Sequence, residues 1–178
     1  MEGQPDDEPE RKVLDGFNLR IAPGERVAIL GGTGSGKSSL VNLIGRFRDV
    51  SAGQVTVDGH DVRALTLHSL RDHVGVVPQE SFLFSATVRE NIAYGNLEAT
   101  EDEVLAAAKL AKAHEFILEM PKGYDTQIGE RGVRLSGGQK QRLSLARAIL
   151  IDPEIFILDE ATSAIDTRTE HEIQQALK

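Results

Sequence analysis

The 178-residue sequence contains no cysteine and no tryptophan, and aromatic residues make up only 4% of it. Without cysteine, the chain has no disulfide scaffold, no thiol nucleophile and no thiolate ligand for a metal. It also lacks a long apolar run. The longest covers residues 104–108, far short of the about 20 residues that a membrane-spanning helix needs. The first residues lack a basic segment followed by an apolar one, so no signal peptide is predicted.

Acidic residues exceed basic ones, which gives a net charge of −8, but the excess is concentrated at the N-terminus. The first ten residues include Glu2, Asp6, Asp7, Glu8 and Glu10 and no Lys or Arg. Residues 1–12 are therefore predicted to be an acidic tail or linker, and residues 13–178 one domain. No nucleic acid is expected as a partner, because duplex binding relies on Lys and Arg that neutralise phosphates.

Short apolar segments alternate with helical ones, which favours an α/β fold. In residues 17–21, Phe17, Leu19 and Ile21 alternate with polar residues, which predicts a half-buried strand with Phe17 in the core. Further strands are predicted at residues 27–30 (buried), 55–59 (running into an Asp-Gly turn), 74–77 and 155–158 (buried).

The middle of the chain, about residues 80–150, is predicted to be a helical subdomain. Thr or Ser followed three residues later by Glu or Gln predicts capping boxes at Thr87, Thr100 and Ser136. The Ala-rich stretch of residues 101–119 predicts one long helix.

Residues 31–38 match G-x-x-x-x-G-K-[ST] between a predicted strand and a predicted helix. In this pattern glycine backbone amides and the positive end of the helix cradle a phosphate chain. Lys37 is predicted to reach the β- and γ-phosphates, and Ser38 to place its hydroxyl on Mg²⁺. The predicted nucleotide-binding residues here are Gly32, Thr33, Gly34, Ser35, Gly36, Lys37, Ser38 and Ser39.

Two acidic residues, Asp159 and Glu160, follow the predicted strand of residues 155–158. The carboxyl end of a strand in an open α/β sheet is where ligands bind. Asp159 is predicted to hold Mg²⁺ directly or through water. Glu160 is predicted to act as the general base on the water that attacks the γ-phosphate.

Three further motifs follow the same order as those of ATP-binding cassette (ABC) ATPases. Residues 135–139, Leu-Ser-Gly-Gly-Gln, resemble the signature of that family; Gln79 after Val-Pro resembles its Q-loop, and residues 163–166 resemble its D-loop. The resemblance implies a P-loop NTPase core: a mostly parallel sheet flanked by helices, with a small N-terminal antiparallel β part and an α-helical subdomain. It also implies ATP hydrolysis with Mg²⁺.

The resemblance assigns roles to these motifs in a head-to-tail dimer that sandwiches two ATP molecules. Ser136, Gly137, Gly138 and Gln139 are implied to contact the nucleotide of a second ABC cassette, and Asp166 to lie at the dimer contact. Gln79 is implied to act in catalysis, together with Lys37 and Glu160. It is also implied to bind the metal, together with Ser38 and Asp159.

Two more segments resemble ABC exporters: residues 126–132, like the X-loop, and residues 81–92, which follow the Q-loop. The implied partners are the transmembrane domains of a transporter, and the implied location is the cytoplasmic side of the cell membrane. Apolar Phe82, Leu83 and Phe84 suit docking onto those domains.

Two parts of the family pattern are missing: an aromatic residue upstream of the first strand, which stacks on adenine, and a switch histidine. The sequence therefore predicts a fragment that is truncated at both ends and hydrolyses ATP weakly on its own. Two alternatives stay open: a soluble ABC ATPase of the DNA-repair or translation type, and a non-catalytic nucleotide-binding module without a switch histidine.

Overall fold

The computed structural model of the chain describes residues 12–129, residues 133–159 and Thr169. The chain divides between residues 63 and 64 into two units, and each unit is described by itself below.

The described residues of the first unit form one helix and one small antiparallel sheet. Helix α1, Lys37–Ile44, follows the glycine-rich loop and buries Leu40. Strands β1, Thr56–Val57, and β2, His60–Asp61, pair as an antiparallel hairpin. The turn residues Asp58 and Gly59 both have positive φ, at 50° and 80°, as a two-residue hairpin of this twist requires. The predicted strand and Asp-Gly turn are thus confirmed. A 3₁₀ turn, Val62–Ala64, follows β2.

The predicted strands at residues 17–21 and 27–30 are wrong. In the described part of the chain, neither segment is a strand. Phe17 is 49% exposed and Ile29 is 42% exposed, so the assignment of Phe17 to the core is also wrong. Apolar alternation shows which side of a segment would be buried, but a strand also needs a second backbone to pair with. No strand of the described residues supplies that backbone for these two segments.

The second unit is built around a parallel pair of strands. Strand β3, Val74–Val77, and strand β4, Ile155–Leu158, run in register from Val74 opposite Ile155 to Val77 opposite Leu158. Both strands were predicted, and β3 is well buried. β4 is only partly buried, with Leu158 38% exposed, so the predicted full burial of β4 is wrong.

Helices fill the rest of the second unit. Helix α2 precedes β3, and the others lie between the two strands: α2 Leu67–Asp72, α3 Val88–Ala93, α4 Glu101–Leu110, α5 His114–Leu118, a 3₁₀ turn Gly123–Asp125, and α6 Gly137–Ile151. Capping boxes begin α3 at Thr87, α4 at Thr100 and α6 at Ser136. All three predicted capping boxes are confirmed.

The single helix predicted for residues 101–119 is in fact two helices, α4 and α5. The chain turns out of α4 at Lys112, whose φ is 54°. The amide of Ala113 then bonds the Ala108 carbonyl at 2.8 Å, a six-residue closure typical of helix ends. Lys112 does not disrupt the helical spacing of apolar residues, so the sequence pattern did not reveal the break.

The core of the second unit lies where α3, α4 and α6 pack on one another and on β3. Its buried members are Val77, Val88, Ile92, Val104, Ala108, Ala111, Ala113, Phe116, Ile117, Tyr124, Ile128, Leu143, Leu145, Ala146 and Ala148. Burying a side chain such as that of Ile92 contributes about 1.5–3 kcal/mol. Among the described helices, none is both long enough and apolar enough to cross a bilayer.

Candidate nucleotide-binding site

The loop of residues 31–38 passes through backbone conformations that favour glycine. φ is 80° at Gly34 and 96° at Gly36, in the left-handed region where a Cβ is disfavoured. Gly36 is also the N-cap of α1, so no N-cap side chain accepts from the first-turn amides in the described structure. These backbone N–H groups point out of the helix as donors, the arrangement that suits an anion.

The loop is open on the side where a ligand would approach. A Cβ built on Gly32 or Gly34 would meet nothing within 4 Å, whereas one on Gly31 would lie 2.5 Å from Ser35 Oγ. Thr33 and Ser35 are exposed. A Cβ at position 31 would therefore force the Ser35 side chain to move, whereas the glycines at 32 and 34 leave the outer surface of the loop clear.

The Lys37 side chain folds back onto the loop that precedes it. Its Nζ donates to the Gly31 carbonyl at 2.7 Å and to the Gly32 carbonyl at 3.2 Å. The side chain is half-buried, while the hydroxyl-bearing Ser38 beside it is exposed and Ser39 is half-buried. The ammonium thus lies against the loop that a phosphate chain would occupy.

In the second unit, Gln79 and Asp159 follow the carboxyl ends of two paired strands. Gln79 follows β3 by two residues and Asp159 follows β4 directly. The Asp159 amide donates to the Val77 carbonyl at 3.0 Å, which extends the ladder past Leu158. The structure therefore brings these two predicted site residues to one edge of the sheet, with Gln79 exposed and Asp159 partly exposed.

The predicted signature begins the longest described helix, α6. Ser136 Oγ accepts from the Gln139 amide at 3.2 Å, and Gln139 Oε1 accepts from the Ser136 amide at 2.9 Å. Ser136 and Gly137 are exposed, and Gly138 and Gln139 are half-buried. The capping box fixes the start of α6, so the positive end of the helix dipole opens to solvent at Ser136 and Gly137.

The predicted residues fall into different parts of the chain. Those of the loop at 31–38, together with Ser39, belong to the first unit, and Gln79, Ser136 and Asp159 belong to the second. Glu160 and Asp166 lie outside the described residues, as do residues 130–132 of the segment that resembles an X-loop.

The chemistry of the donors present fits a magnesium ion. Within residues 12–129 and 133–159, no three Asp, Glu or His side chains gather at one point. Ser38, Asp159 and Gln79 offer hydroxyl, carboxylate and amide oxygens. Mg²⁺ prefers hard oxygen ligands and usually combines one or two protein groups with phosphate oxygens and waters.

The segment after Gln79 carries an exposed aromatic surface. Phe82 is 65% exposed, whereas Leu83 and Phe84 are half-buried. The Phe84 ring lies 5.1 Å from that of Phe82, edge to face, and 4.2 Å from that of Tyr94. Tyr94 is itself 56% exposed. Of the three apolar residues predicted to suit docking, only Phe82 is mainly exposed.

The two exporter-like segments lie side by side. Thr87 forms an antiparallel bridge with Gln127, and the Ile128 amide donates to the Ala86 carbonyl at 3.0 Å. A Cβ on Gly129 would lie 2.9 Å from Ser85 Cα, so glycine is required there for this close approach. Nothing in the linear sequence indicated this pairing.

Sequence reasoning also missed Arg147 and Asn91, which join this segment to α6. Asn91 is fully buried, and Arg147 Nε donates to the Asn91 carbonyl at 2.8 Å. One signal was present: Arg147 stands between Ala146 and Ala148, both buried, where a long cation needs partners.

Comparison with known proteins adds to this geometry. The sequence model of one family, described as ABC transporter, matches residues 14–163. The chain belongs to the ABC transporter family. The predicted family and P-loop α/β fold are thereby confirmed, as is the prediction of an ABC-type ATPase domain at the level of the family.

Among its relatives is ABC transporter B family member 4 of Dictyostelium discoideum, 54% identical over 169 residues, 95% of this chain and 22% of the relative. A Staphylococcus aureus protein named as a multidrug export ATP-binding/permease protein is 55% identical over 168 residues, 94% of this chain and 29% of the relative. A solved structure of a bacterial Atm1-family ABC exporter with ATP bound is 47% identical, with a TM-score of 0.91, and the match covers 96% of this chain and 30% of that one. The chain therefore spans less than a third of each of these relatives.

Proposed function

We propose that this chain binds and hydrolyses ATP, and that the hydrolysis drives export of a substrate across a membrane. The observation that carries the proposal is the loop at residues 31–38, with its uncapped helix start and with the Lys37 ammonium held against it. Similarity to an exporter whose solved structure holds ATP supports the same reading.

In the proposed complex, the phosphates lie along the open side of the loop. The Ser35 amide donates to the Gly32 carbonyl at 3.2 Å, and the other backbone amides of residues 32–39 donate to the phosphate oxygens. The start of α1 adds the field of its dipole. On binding, the Lys37 ammonium gives up its hydrogen bonds to the carbonyls of Gly31 and Gly32 and donates to the β- and γ-phosphates instead. That exchange replaces neutral acceptors with charged ones, which form the stronger hydrogen bonds.

We assign the Mg²⁺ that accompanies ATP to Ser38, Gln79 and Asp159. These residues would hold the ion, and it would supply positive charge that offsets the charge developing on the phosphate oxygens during hydrolysis. Asp159 is suited to this because β4 and its ladder to β3 hold the backbone of Asp159 in place.

We assign Glu160 as the general base and Gln79 as a second catalytic residue. Glu160 takes a proton from the attacking water as the water oxygen bonds the γ-phosphorus and the bond to the leaving ADP oxygen breaks. Gln79 orients that water or the metal from the end of β3.

We propose that a second ABC cassette completes each site, in a homo- or heterodimer. Ser136, Gly137, Gly138 and Gln139 would contact nucleotide held by that cassette, and Asp166 would lie at the contact. The support is the capped and exposed start of α6, a second place where helix amides face outward.

The remaining partners are the transmembrane domains of the transporter, on the cytoplasmic side of the cell membrane, and no nucleic acid is expected. Support comes from the exposed Phe82 and Tyr94 and from the Staphylococcus aureus relative, whose name pairs an ATP-binding part with a permease. We also propose one ATPase domain over residues 13–178, with its helical subdomain at about 80–150.

Replacement of Lys37 tests the proposal directly. In Lys37→Met, the dissociation constant of Mg-ATP should rise about tenfold or more, which corresponds to about 1.4 kcal/mol. ATP hydrolysis by the transporter that contains this chain should also be lost. The matched control is Lys109→Met, an exposed lysine on α4, which should leave both unchanged. Wild-type binding by Lys37→Met, measured by titration with ATP, would contradict the assignment.

A further inference from the structure

Arg147, on α6, forms hydrogen bonds from all three guanidinium nitrogens to the segment that follows Gln79. Nη1 donates to the Phe82 carbonyl at 3.1 Å, Nε to the Asn91 carbonyl at 2.8 Å, and Nη2 to Asn91 Oδ1 at 3.2 Å. The three bonds reach both ends of residues 82–91, which we call the aromatic segment.

The Asn91 side chain forms further hydrogen bonds to the middle of the aromatic segment. Its Oδ1 also accepts from the Phe84 amide at 2.8 Å, and its Nδ2 donates to the carbonyls of Phe84 and Thr87, each at 3.0 Å. Asn91 has no exposed surface. Because buried polar networks are costly to leave half-satisfied, Arg147 and Asn91 act as one unit that fixes the backbone of this segment.

Two aromatic rings complete the site of the guanidinium. Its Cζ lies 5.3 Å from the centre of the Phe84 ring and 5.7 Å from that of the Tyr94 ring, within the range of cation–π attraction. Burial lowers the pKa of the Arg147 guanidinium. The Arg147 side chain thus contacts the rings of Phe84 and Tyr94 and also the backbone carbonyl of Phe82, three residues after Gln79.

We propose that Arg147 is a positioning residue for ATP hydrolysis, acting through the aromatic segment on Gln79. α6 begins within the signature, and Gln79 follows β3 by two residues. The hydrogen bond from Arg147 to the Phe82 carbonyl ties the chain three residues after Gln79 to α6. This inference rests on the proposed ATPase function.

Steady-state hydrolysis by the complete transporter in lipid nanodiscs tests it, with Mg-ATP as the ligand. In Arg147→Met, which keeps the apolar stem and loses every donor, kcat should fall about tenfold or more while KM for ATP stays within about twofold. The reason is that misplacing a group by about 1 Å near the reacting atoms can cost about 10²-fold in rate. Hydrogen exchange should quicken in residues 79–91 and not in α1.

Arg142→Met is the matched control. Arg142 lies on the same helix, donates to the Lys112 carbonyl at 3.1 Å and lies over the Phe116 ring at 4.7 Å, so it is tied to α5 instead. Its removal should lower thermal stability and leave kcat per folded molecule unchanged. Arg147→Lys keeps the positive charge and part of the donor set, so its kcat should lie between those of Arg147→Met and the wild type. If Arg147→Met does not fold, the kcat of Arg147→Lys tests the role of Arg147 instead.

The inference is overturned if kcat of Arg147→Met, or of Arg147→Lys where only that variant folds, equals the wild-type value. It is equally overturned if Arg142→Met lowers kcat as much as Arg147→Met does. A wild-type transporter that binds Mg-ATP without hydrolysing it would instead refute the proposed function, and the inference with it.

Discussion

The backbone amide of Asp159 donates a 3.0 Å hydrogen bond to the carbonyl of Val77. This bond continues the parallel ladder of β3 and β4 by one residue, so the chain leaves both strands at the same edge of the sheet. At that edge, Gln79 follows β3 by two residues and Asp159 follows β4 directly. The ladder thus sets the position of the Asp159 backbone at this edge, where the residue is partly exposed.

Asp159→Asn should weaken the magnesium dependence of ATP binding and hydrolysis while the fold persists. The amide keeps the shape of the side chain but removes its negative charge, and loss of a group that holds or supports a metal typically costs about 10–100-fold. Mg²⁺ titrations of ATP hydrolysis by the complete transporter measure the shift in the half-saturating concentration.

Asp152→Asn is the control for that change. Asp152 is the C-cap of α6, just before β4, with φ at 50°, a conformation that asparagine tolerates well. Its replacement should leave the magnesium titration unchanged. If the two variants shift the titration equally, the assignment of Asp159 to the metal fails.

Gly36→Ala and Gly32→Ala should separate the loop's conformational role from its binding role. A Cβ on Gly36 would lie 3.0 Å from Leu14 Cδ2, at a φ of 96°, so this variant should lose about 1–3 kcal/mol of stability. A Cβ on Gly32 would meet nothing within 4 Å. Gly32→Ala should therefore melt like the wild type yet bind ATP more weakly, because its methyl group takes space on the phosphate side.

Thermal unfolding and ATP titration of both variants check this pair. Normal ATP binding by Gly32→Ala would place the phosphates elsewhere, and normal melting by Gly36→Ala would show that the loop relaxes around a side chain.

How far the sequence predicted the structure depends on how local each interaction is. The capping boxes at Thr87, Thr100 and Ser136 were predictable because donor and acceptor stand three residues apart. The Asp58-Gly59 turn was predictable for the same reason. Strands β3 and β4 were predicted from their short apolar runs, although their pairing joins distant parts of the chain. The strands expected at residues 17–21 and 27–30 failed because pairing needs a distant backbone, which alternation does not encode.

The candidate site divides in the same way. The loop around Lys37 and the signature at Ser136 each lie within a few consecutive residues, so motif and geometry agree. Arg147 and Asn91 were missed because the two residues lie 56 apart in sequence, and only packing brings them together. The break at Lys112 was missed because no glycine or proline marks it.

Asn91→Ala should destabilise the chain by about 3 kcal/mol or more. The substitution removes the side-chain partners of Phe84 and Thr87 in a fully buried site, and a buried group left unsatisfied costs about 1–3 kcal/mol. Urea unfolding followed by circular dichroism gives the change in free energy. The control is Asn96→Ala, an exposed residue whose Oδ1 accepts only from the nearby Glu98 amide among the described residues, with an expected loss of at most about 1 kcal/mol. Equal losses in the two variants would refute the role given to Asn91.

Asp61 in the hairpin should titrate well below an ordinary aspartate. Hydrogen bonds from the Arg63 guanidinium and the Arg63 amide lower the pKa of Asp61 from 3.8 to about 2, with Arg63 Nη2 at 2.6 Å from Asp61 Oδ2. Since the folded pKa is lowered, the stabilising contribution is complete above pH 3.8 and is lost as the pH falls through about 2. In Arg63→Gln, the carboxyl ¹³C titration should move back toward 3.8, because the charged fork is gone. A midpoint that stays near 2 in this variant would show that a group other than the Arg63 guanidinium lowers the pKa of Asp61.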